Sequence, residues 1–121
     1  MMTGSGSRER AVQPEDLSRF VVDRLNAADV DGLVALYEPD AVLALPDGRV
    51  ATGSQEIRQA YEQLVLDRPV FTPGEQQPTL RNGDLALTSV RLPGGGATVE
   101  VARRQPDGTW LWVMDQPRVL G

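Results

Sequence analysis

Apolar residues in the first quarter of the chain recur every three or four positions, the spacing that places them on one side of an α-helix. The first run consists of Leu17, Phe20, Val21, Val22, Leu25 and Ala28. Pro14 stands just before it and is followed by two acidic residues, a composition typical of a first helical turn. The pattern predicts an amphipathic helix that ends near Ala28.

A short second helix and a hairpin are predicted next. Asp29 or Asp31 can cap this helix, and Pro39-Asp40 ends it. The apolar run 41–45 predicts a strand, and residues 49–51 return beside it after a turn. A third helix is then predicted from Thr52 to about Asp67. Its apolar stripe is Ile57, Ala60, Tyr61 and Leu64.

From residue 70 onward the pattern changes to strands between strong turn signals. The turns are Asn82-Gly83-Asp84, Pro93-Gly94-Gly95-Gly96 and Pro106-Asp107-Gly108. They separate four predicted strands, at about 70–80, 85–92, 97–104 and 109–115. Three helices followed by such a meander predict an α+β fold, with the N-terminal helices packed on one face of a curved, mainly antiparallel sheet.

The composition narrows the chemistry. All twelve basic residues are Arg, and the chain has no Lys, His or Cys. Disulfides, thiolate nucleophiles, Schiff-base lysines, histidine-dependent triads and Cys or His zinc sites are therefore excluded within one chain. Carboxylate and tyrosine side chains remain for proton chemistry, and we expect no cofactor and no metal.

Charge bears on partners and location. Seventeen acidic residues against twelve arginines give a net charge of −5, so nucleic acid and anionic membrane surfaces are poor partners. No apolar run approaches the roughly 20 residues of a membrane helix, and the first residues lack a signal-peptide pattern. We expect a cytoplasmic protein with a flexible polar tail at 1–12 and a single domain at 13–121.

The stretch from Leu25 to Arg58 carries a family resemblance. It reads Leu25-Asn26-Ala27-Ala28-Asp29-Val30-Asp31-Gly32-Leu33, Leu36-Tyr37-Glu38-Pro39-Asp40-Ala41-Val42-Leu43, Gly53 and Ile57-Arg58. This order resembles the opening of the nuclear-transport-factor-2-like fold, the scaffold of ketosteroid isomerases and SnoaL-like polyketide cyclases. The resemblance implies a cone-shaped domain with a hydrophobic pocket. It does not fix a reaction, because the scaffold also hosts epoxide hydrolases and binding modules.

The resemblance covers roughly residues 17–117, with two departures from the isomerases. Those enzymes polarise the substrate carbonyl with a first-helix tyrosine and a buried acid on the sheet, and an aspartate after the second helix moves the proton. The tyrosine position falls on Val21 and the aspartate position on Leu45. The resemblance therefore disfavours steroid isomerisation by that mechanism and leaves Val21 and Leu45 as candidate lining residues.

Two supporting tyrosines of that family have counterparts here. Tyr37, at the end of the second predicted helix, and Tyr61, on the third, match pocket-lining positions, and they are the only tyrosines in the chain. The alternative is that both simply pack in the core with their hydroxyls satisfied by backbone or water.

Glu100 and Asp115 are the candidate catalytic acids. Period-two alternation separates Glu100 from Val99 and Val101, and by resemblance it falls on the isomerases' buried acid. Asp115 ends an apolar strand and, with Leu111 and Val113, would share the face that lines the pocket in relatives. The alternatives are a solvent-facing Glu100 and an Asp115 that caps the following turn.

On adjacent antiparallel strands these two acids should be close neighbours facing the cavity. Two acids in an apolar surrounding do not both ionise readily, so one raised and one ordinary pKa would divide them into donor and acceptor. We expect Asp115 to act as the base and Glu100 as the acid, with Tyr37, Tyr61 and Val113 lining the site.

Alternation also predicts an apolar patch on the opposite face of the sheet. Its members would be Trp110, Trp112, Met114, Val99 and Val101. Since a monomer would leave this apolar patch exposed to solvent, we expect a homodimer in which the two sheets pack face to face. The function expected is binding of a small apolar or polycyclic molecule, with cofactor-free isomerisation, cyclisation or, less favoured, epoxide opening. The alternative is a non-catalytic binding or interaction module.

Overall fold

The computed structural model describes residues 8–119, which form three helices and an eight-stranded mixed sheet. The helices are α1 (Asp16–Asn26), α2 (Val30–Val34) and α3 (Gly53–Leu64). The strands are β1 (Tyr37–Ala44), β2 (Val50–Thr52), β3 (Glu75–Gln76), β4 (Leu80–Asn82), β5 (Leu85–Thr88), β6 (Val90–Arg91), β7 (Ala97–Arg104) and β8 (Trp110–Val119). No helix among the described residues is long and apolar enough to cross a membrane.

The sheet is curved and open, with the strand order β2-β1-β8-β7-β5-β4. Strand β6 lies outside this order and pairs with both β7 and β3. All pairings are antiparallel except that of β1 with β8, which brings the first strand beside the last. The predicted α+β class and its mixed curved sheet are confirmed.

Local sequence explains how the helices begin. The Asp29 carboxylate accepts the Gly32 N–H at 3.0 Å and caps α2, which decides between the two predicted caps. Asp16 accepts the N–H groups of Val12 and Gln13 at 3.1 Å each. Helix α1 then buries Leu17, Phe20 and Leu25, three members of its predicted apolar stripe.

Several predicted elements differ from the structure. Tyr37 is the first residue of β1, whereas we predicted it at the end of the second helix. The predicted strand at 70–80 is reduced to β3 and β4, because two prolines and a glycine interrupt it. The predicted strand at 85–92 breaks at Ser89 into β5 and β6, while β8 runs four residues beyond its predicted end.

A β-bulge in β8 reverses the predicted sheet faces. Val101 pairs with Met114 and Ala102 with Trp112, so Val113 is the extra residue. On the N-terminal side of the bulge, Trp110 and Trp112 therefore face the core and are each only 2% exposed. The prediction that both tryptophans lie on the outer face with Met114 is wrong, and only Met114, at 51%, is exposed there.

The segment before α1 contacts the domain from residue 8 onward. Arg8 makes two hydrogen bonds to the Asp29 carboxylate, at 2.7 and 2.8 Å. Ala11 is 3% exposed, and its carbonyl accepts the N–H of Trp110 at 2.9 Å. Residues 8–12, which the sequence places in a flexible tail, are thus held against α2 and β8. The earlier part of that predicted tail lies outside the described residues.

Candidate functional site

Three side chains form a buried hydrogen-bonded chain on the inner face of the sheet. The Tyr37 hydroxyl donates to Asp115 Oδ2 at 2.5 Å. The hydroxyls of Tyr37 and Tyr61 are 2.6 Å apart. Because the Tyr37 proton is committed to Asp115, the Tyr61 hydroxyl is the donor to Tyr37. The chain therefore runs from α3 through β1 to β8 and ends on a carboxylate.

The pKa of Asp115 is raised to about 7. Burial is the largest cause, since it disfavours the charged carboxylate, and the neighbouring Glu100 adds to it. The hydrogen bond from Tyr37 acts in the opposite direction, because it favours the ionised form. Asp115 can thus both accept and release a proton near neutral pH, which is what a general acid or base requires.

Glu100 stands directly opposite Asp115 across the β7 and β8 ladder. Its side chain is buried, and its Oε1 accepts the hydroxyl of Thr88 at 2.7 Å. Burial raises the pKa of Glu100, while hydrogen bonds from Thr88 and Thr98 lower it. The register confirms that the two acids are neighbours, and both are buried. Their predicted place in a cavity stays a prediction, and both pKa values are raised, whereas the sequence predicts one raised and one ordinary. Their assignment as acid and base stays a prediction.

Aromatic rings enclose the tyrosine end of the chain. Burial and the nearby Asp115 raise the pKa of both tyrosines above the ordinary value, so both stay protonated donors. The Trp112 ring meets Tyr37 edge to face, with centroids 5.3 Å apart. Its indole N–H is buried without a hydrogen-bond partner among the described residues.

The apolar residues predicted for the site are more dispersed. Val21 on α1 and Leu45 after β1 are half-buried and pack against the core. Leu45 also lines a cleft of about 630 Å³ between the β1–β2 turn and α3. Val113 occupies the bulge, so Asp115 shares its face with Trp112 rather than with the predicted Leu111.

The hydrogen-bonded group is closed to solvent in this structure. Tyr37, Tyr61, Glu100 and Asp115 are between 3% and 8% exposed. A second cleft, of about 570 Å³, lies between residues 8–11 and the β7–β8 turn and includes none of the four. No group of three or more acidic residues within 8–119 is placed to hold a metal ion.

Sequence reasoning missed Thr88 and the role of Trp112. Alternation in the sequence would turn Leu85 and Leu87 inward and Thr88 outward, so no local signal finds it; in the structure the two leucines are exposed and Thr88 is buried. Trp112 could be found only by knowing of the bulge, because simple alternation points it outward.

The sequence matches the SnoaL-like domain family over residues 17–119. The chain belongs to the SnoaL-like family. The match spans α1 to β8 and so includes every residue of the buried hydrogen-bonded group. No curated protein matched the sequence.

Solved structures show the same fold at low sequence identity. A protein described as a calcium/calmodulin-dependent protein kinase type II association domain, from Thiobacillus denitrificans, is 16% identical with a TM-score of 0.78, covering 94% of this chain and 100% of that one. A ketosteroid isomerase-like protein from Erwinia carotovora atroseptica is 21% identical with a TM-score of 0.67, covering 84% and 88%. An NTF2-like protein from Pseudomonas putida is 18% identical with a TM-score of 0.62, covering 88% and 90%. These neighbours confirm the nuclear-transport-factor-2-like fold of this SnoaL-like chain.

Proposed function

We propose that this SnoaL-like protein binds a small apolar or polycyclic molecule and moves a proton on it without a cofactor. The observation that carries the proposal is the buried Asp115 carboxylate, which accepts the Tyr37 hydroxyl and faces Glu100. A carboxylate with a pKa near 7 in a water-poor site is suited to abstract a proton from carbon or oxygen. We also propose that the protein acts in the cytoplasm.

The two acids have different surroundings, which supports different roles. Asp115 is the proposed base, because Tyr37 stabilises its ionised form and Tyr61 in turn supports Tyr37. Glu100 is the proposed acid. Because an ionised Glu100 raises the pKa of Asp115, the two acids hold one proton between them near neutral pH, and the reactive form is the one in which Glu100 carries it and Asp115 is ionised. Isomerisation and aldol-type cyclisation both need such a pair.

An uncharged substrate is favoured by the surroundings of the acids. The pKa of Asp115 is shifted by burial, Glu100 and Tyr37, and that of Glu100 by burial and two threonine hydroxyls. No cation is among these groups within the described residues. The core around them consists largely of aliphatic and aromatic side chains. An anionic ligand would meet Asp115 without compensation, whereas a neutral ketone would not.

Proton exchange on a model ketone tests this function. 2-Tetralone has acidic C–H groups next to its carbonyl, and their exchange with deuterated water can be followed by proton NMR. The native protein should accelerate exchange, and Asp115→Asn should reduce that acceleration by about 100-fold or more. Asp40→Asn, which changes an exposed acid on β1, is the matched control and should behave as the native protein. Equal rates for all three proteins would contradict the proposed chemistry.

A non-catalytic binding module is the second candidate. It is favoured by the closure of the site, because the hydroxyls of Tyr37, Tyr61 and Thr88 already have partners within the protein. This candidate predicts that 2-tetralone binds, seen as shifted tyrosine or tryptophan resonances, while its exchange rate stays at the level of buffer.

We also propose that the protein is a homodimer. The proposed interface differs from the patch predicted from the sequence, because Trp110 and Trp112 face the core. Side chains on neighbouring strands form one apolar row across the outer face of the sheet. The row is Leu80, Leu87, Val101, Met114 and Val42. Leu80, Leu87 and Met114 are 69%, 41% and 51% exposed, so a second copy placed against this face would remove substantial apolar area from water.

A further inference from the structure

Residues 71–79, here called the strap, run along α1 from its end to its beginning. At the end of the helix, the Asn26 side chain donates to the Phe71 carbonyl at 2.9 Å and accepts the Phe71 N–H at 2.7 Å. Eight residues earlier, about 12 Å along the axis, Ser18 donates to the Gln76 side chain at 2.7 Å. Before the helix, Glu15 accepts the Thr79 hydroxyl. The strap therefore spans the length of the helix.

The other side of the strap contacts the sheet beside the buried acids. The carbonyl of Ser89 accepts the N–H of Gln77 at 2.9 Å and the Gln76 side chain at 3.2 Å. The preceding residue, Thr88, is the one whose hydroxyl binds Glu100. The strap is thus attached to the sheet one residue away from the site.

Gly74 allows the strap to lie close to the inner face. A Cβ atom at this position would stand 2.3 Å from the Arg91 carbonyl oxygen and 2.6 Å from Val90 Cγ1. Val90 is 8% exposed and follows Thr88 by two residues, so its side chain shares the inner face with Thr88 and Glu100. Displacing the strap would uncover this face at its edge.

Phe71 packs against the core, but most of the other attachments of the strap are exposed. Its only ladder is the two-residue pairing of β3 with β6. The Asn26 pair and the Ser18 bond are exposed to solvent, and the Glu75–Arg91 ion pair at 3.6 Å is exposed at both ends. Exposed ion pairs contribute little to stability, and segments with few buried contacts open more readily than the core.

We propose that the strap covers the entrance of the site and that it moves away from α1 and β6 to admit the ligand to Asp115 and Glu100. This rests on the proposed function, because it assumes that a ligand reaches the buried acids. Movement of the strap would explain how a site that is closed to solvent can still bind a ligand, since the protein need open only on the side that the strap covers.

Hydrogen exchange tests the opening without any ligand. The Phe71 and Gln77 amides should exchange at least tenfold faster than the Trp112 amide, which is bonded to the Leu36 carbonyl within the core. Gly74→Ala should accelerate Gln77 at least fivefold further and leave Trp112 unchanged. Gly94→Ala is the matched control, because a Cβ there meets nothing within 4 Å. Exchange of Gln77 at the rate of Trp112, or identical behaviour of the two glycine variants, would overturn the proposal.

Asn26→Ala offers a second route if Gly74→Ala does not fold, since it removes only the two exposed bonds to Phe71. The probe is N-phenyl-1-naphthylamine, a neutral fluorophore, mixed with the protein in a stopped-flow instrument. In the native protein the observed rate should level off at the rate of strap opening, and Asn26→Ala should raise that plateau at least threefold. An unchanged plateau would refute the strap as entrance but leave probe binding intact. No binding by either protein would overturn the proposed site itself, and the entrance with it.

Discussion

The Tyr37 hydroxyl reaches an acid three residues beyond its own partner on the neighbouring strand. Tyr37 pairs with Trp112 in the parallel ladder between β1 and β8, yet it hydrogen-bonds Asp115 at 2.5 Å. The tyrosine side chain therefore extends along β8 and packs against the Trp112 ring on the way. Two residues that are 78 positions apart in the sequence are brought together in one hydrogen bond by the parallel pairing of β1 with β8, the only parallel pairing among residues 8–119.

Tyr37→Phe should raise the pKa of Asp115 above its value of about 7. The variant removes the hydrogen bond that favours the ionised carboxylate, while burial and Glu100 remain. Tyr61→Phe should have a smaller effect, because Tyr61 acts on Asp115 only through Tyr37. Carbon-13 NMR titration of the aspartate carboxyls would measure both. An unchanged Asp115 curve in Tyr37→Phe would show that this hydrogen bond does not control the acid.

The native protein should lose stability as the pH rises from about 4 to about 7. An unfolded aspartate releases its proton near pH 3.9, but Asp115 in the folded protein keeps it until about pH 7. The folded state binds more protons in this interval, so the free energy of unfolding falls there and levels off above it. The loss is roughly 4 kcal/mol at most for Asp115.

Urea unfolding at pH 4 to 8 would check this dependence. Asp115→Asn should flatten most of the fall, because asparagine does not titrate, and the raised pKa of Glu100 should leave a residual slope of the same sign. Asp40→Asn should keep the native profile. A flat profile in the native protein would mean that Asp115 is ionised across the whole range.

Local signals in the sequence predicted much of the fold. The buried faces of α1 and α3, the glycine turns and the alternation of β7 depend on neighbouring residues and were predicted correctly, except that Leu64 of the α3 stripe is 44% exposed. The position of Tyr37 was predicted wrongly, because Pro39 indicates the end of a helix rather than the interior of a strand. Strand β1 tolerates that proline at an irregularity between Tyr37 and Val42, and its partner β8 is distant in the sequence.

The candidate site was predicted only in part for a related reason. Glu100 and Asp115 pair as expected, since both follow the register of one hairpin. The bulge at Val113 has no residue type that announces it, and it moves Trp110 and Trp112 to the opposite face from the one alternation predicts. Register shifts depend on what packs on each face, which a single strand does not reveal.

Leu87→Arg should convert the proposed dimer to a monomer. Leu87 lies between Leu80 and Val101 in the outer apolar row, where a charge would be buried by a second copy. Leu66→Arg is the control, because Leu66 is 68% exposed in the connection after α3 and outside that row. Sedimentation of both variants and the native protein at micromolar concentration would decide. A monomeric native protein would rule out the interface.

Trp112→Arg should prevent folding, in contrast to Leu87→Arg. Trp112 is 2% exposed and touches Tyr37, so an arginine there would bury a charge without a partner and remove a large side chain from the core. Far-ultraviolet circular dichroism and solubility would show the loss. A folded monomer would mean that the ring lies on the outer face after all.

Asp29→Ala should destabilise the protein by about 0.5–2 kcal/mol, the range for loss of a helix cap. The variant removes the cap of α2 and also releases Arg8 and the segment that it holds. Asp47→Ala, which removes an exposed acid paired with Arg49, should change the urea midpoint much less. Equal effects of the two substitutions would argue against a structural role of the segment before α1.

The extra residue in β8 makes chain length itself a determinant of what the inner and outer surfaces carry. In a regular strand Trp112 and Asp115, which are three positions apart, would lie on opposite faces. The extra residue lets both lie on the inner face, so straightening β8 at its present length would turn one of them outward. Deleting Val113 would instead keep Trp112 and Asp115 inward and Met114 outward in simple alternation. Relatives of this chain could therefore lose one residue of this strand and still keep the buried acid.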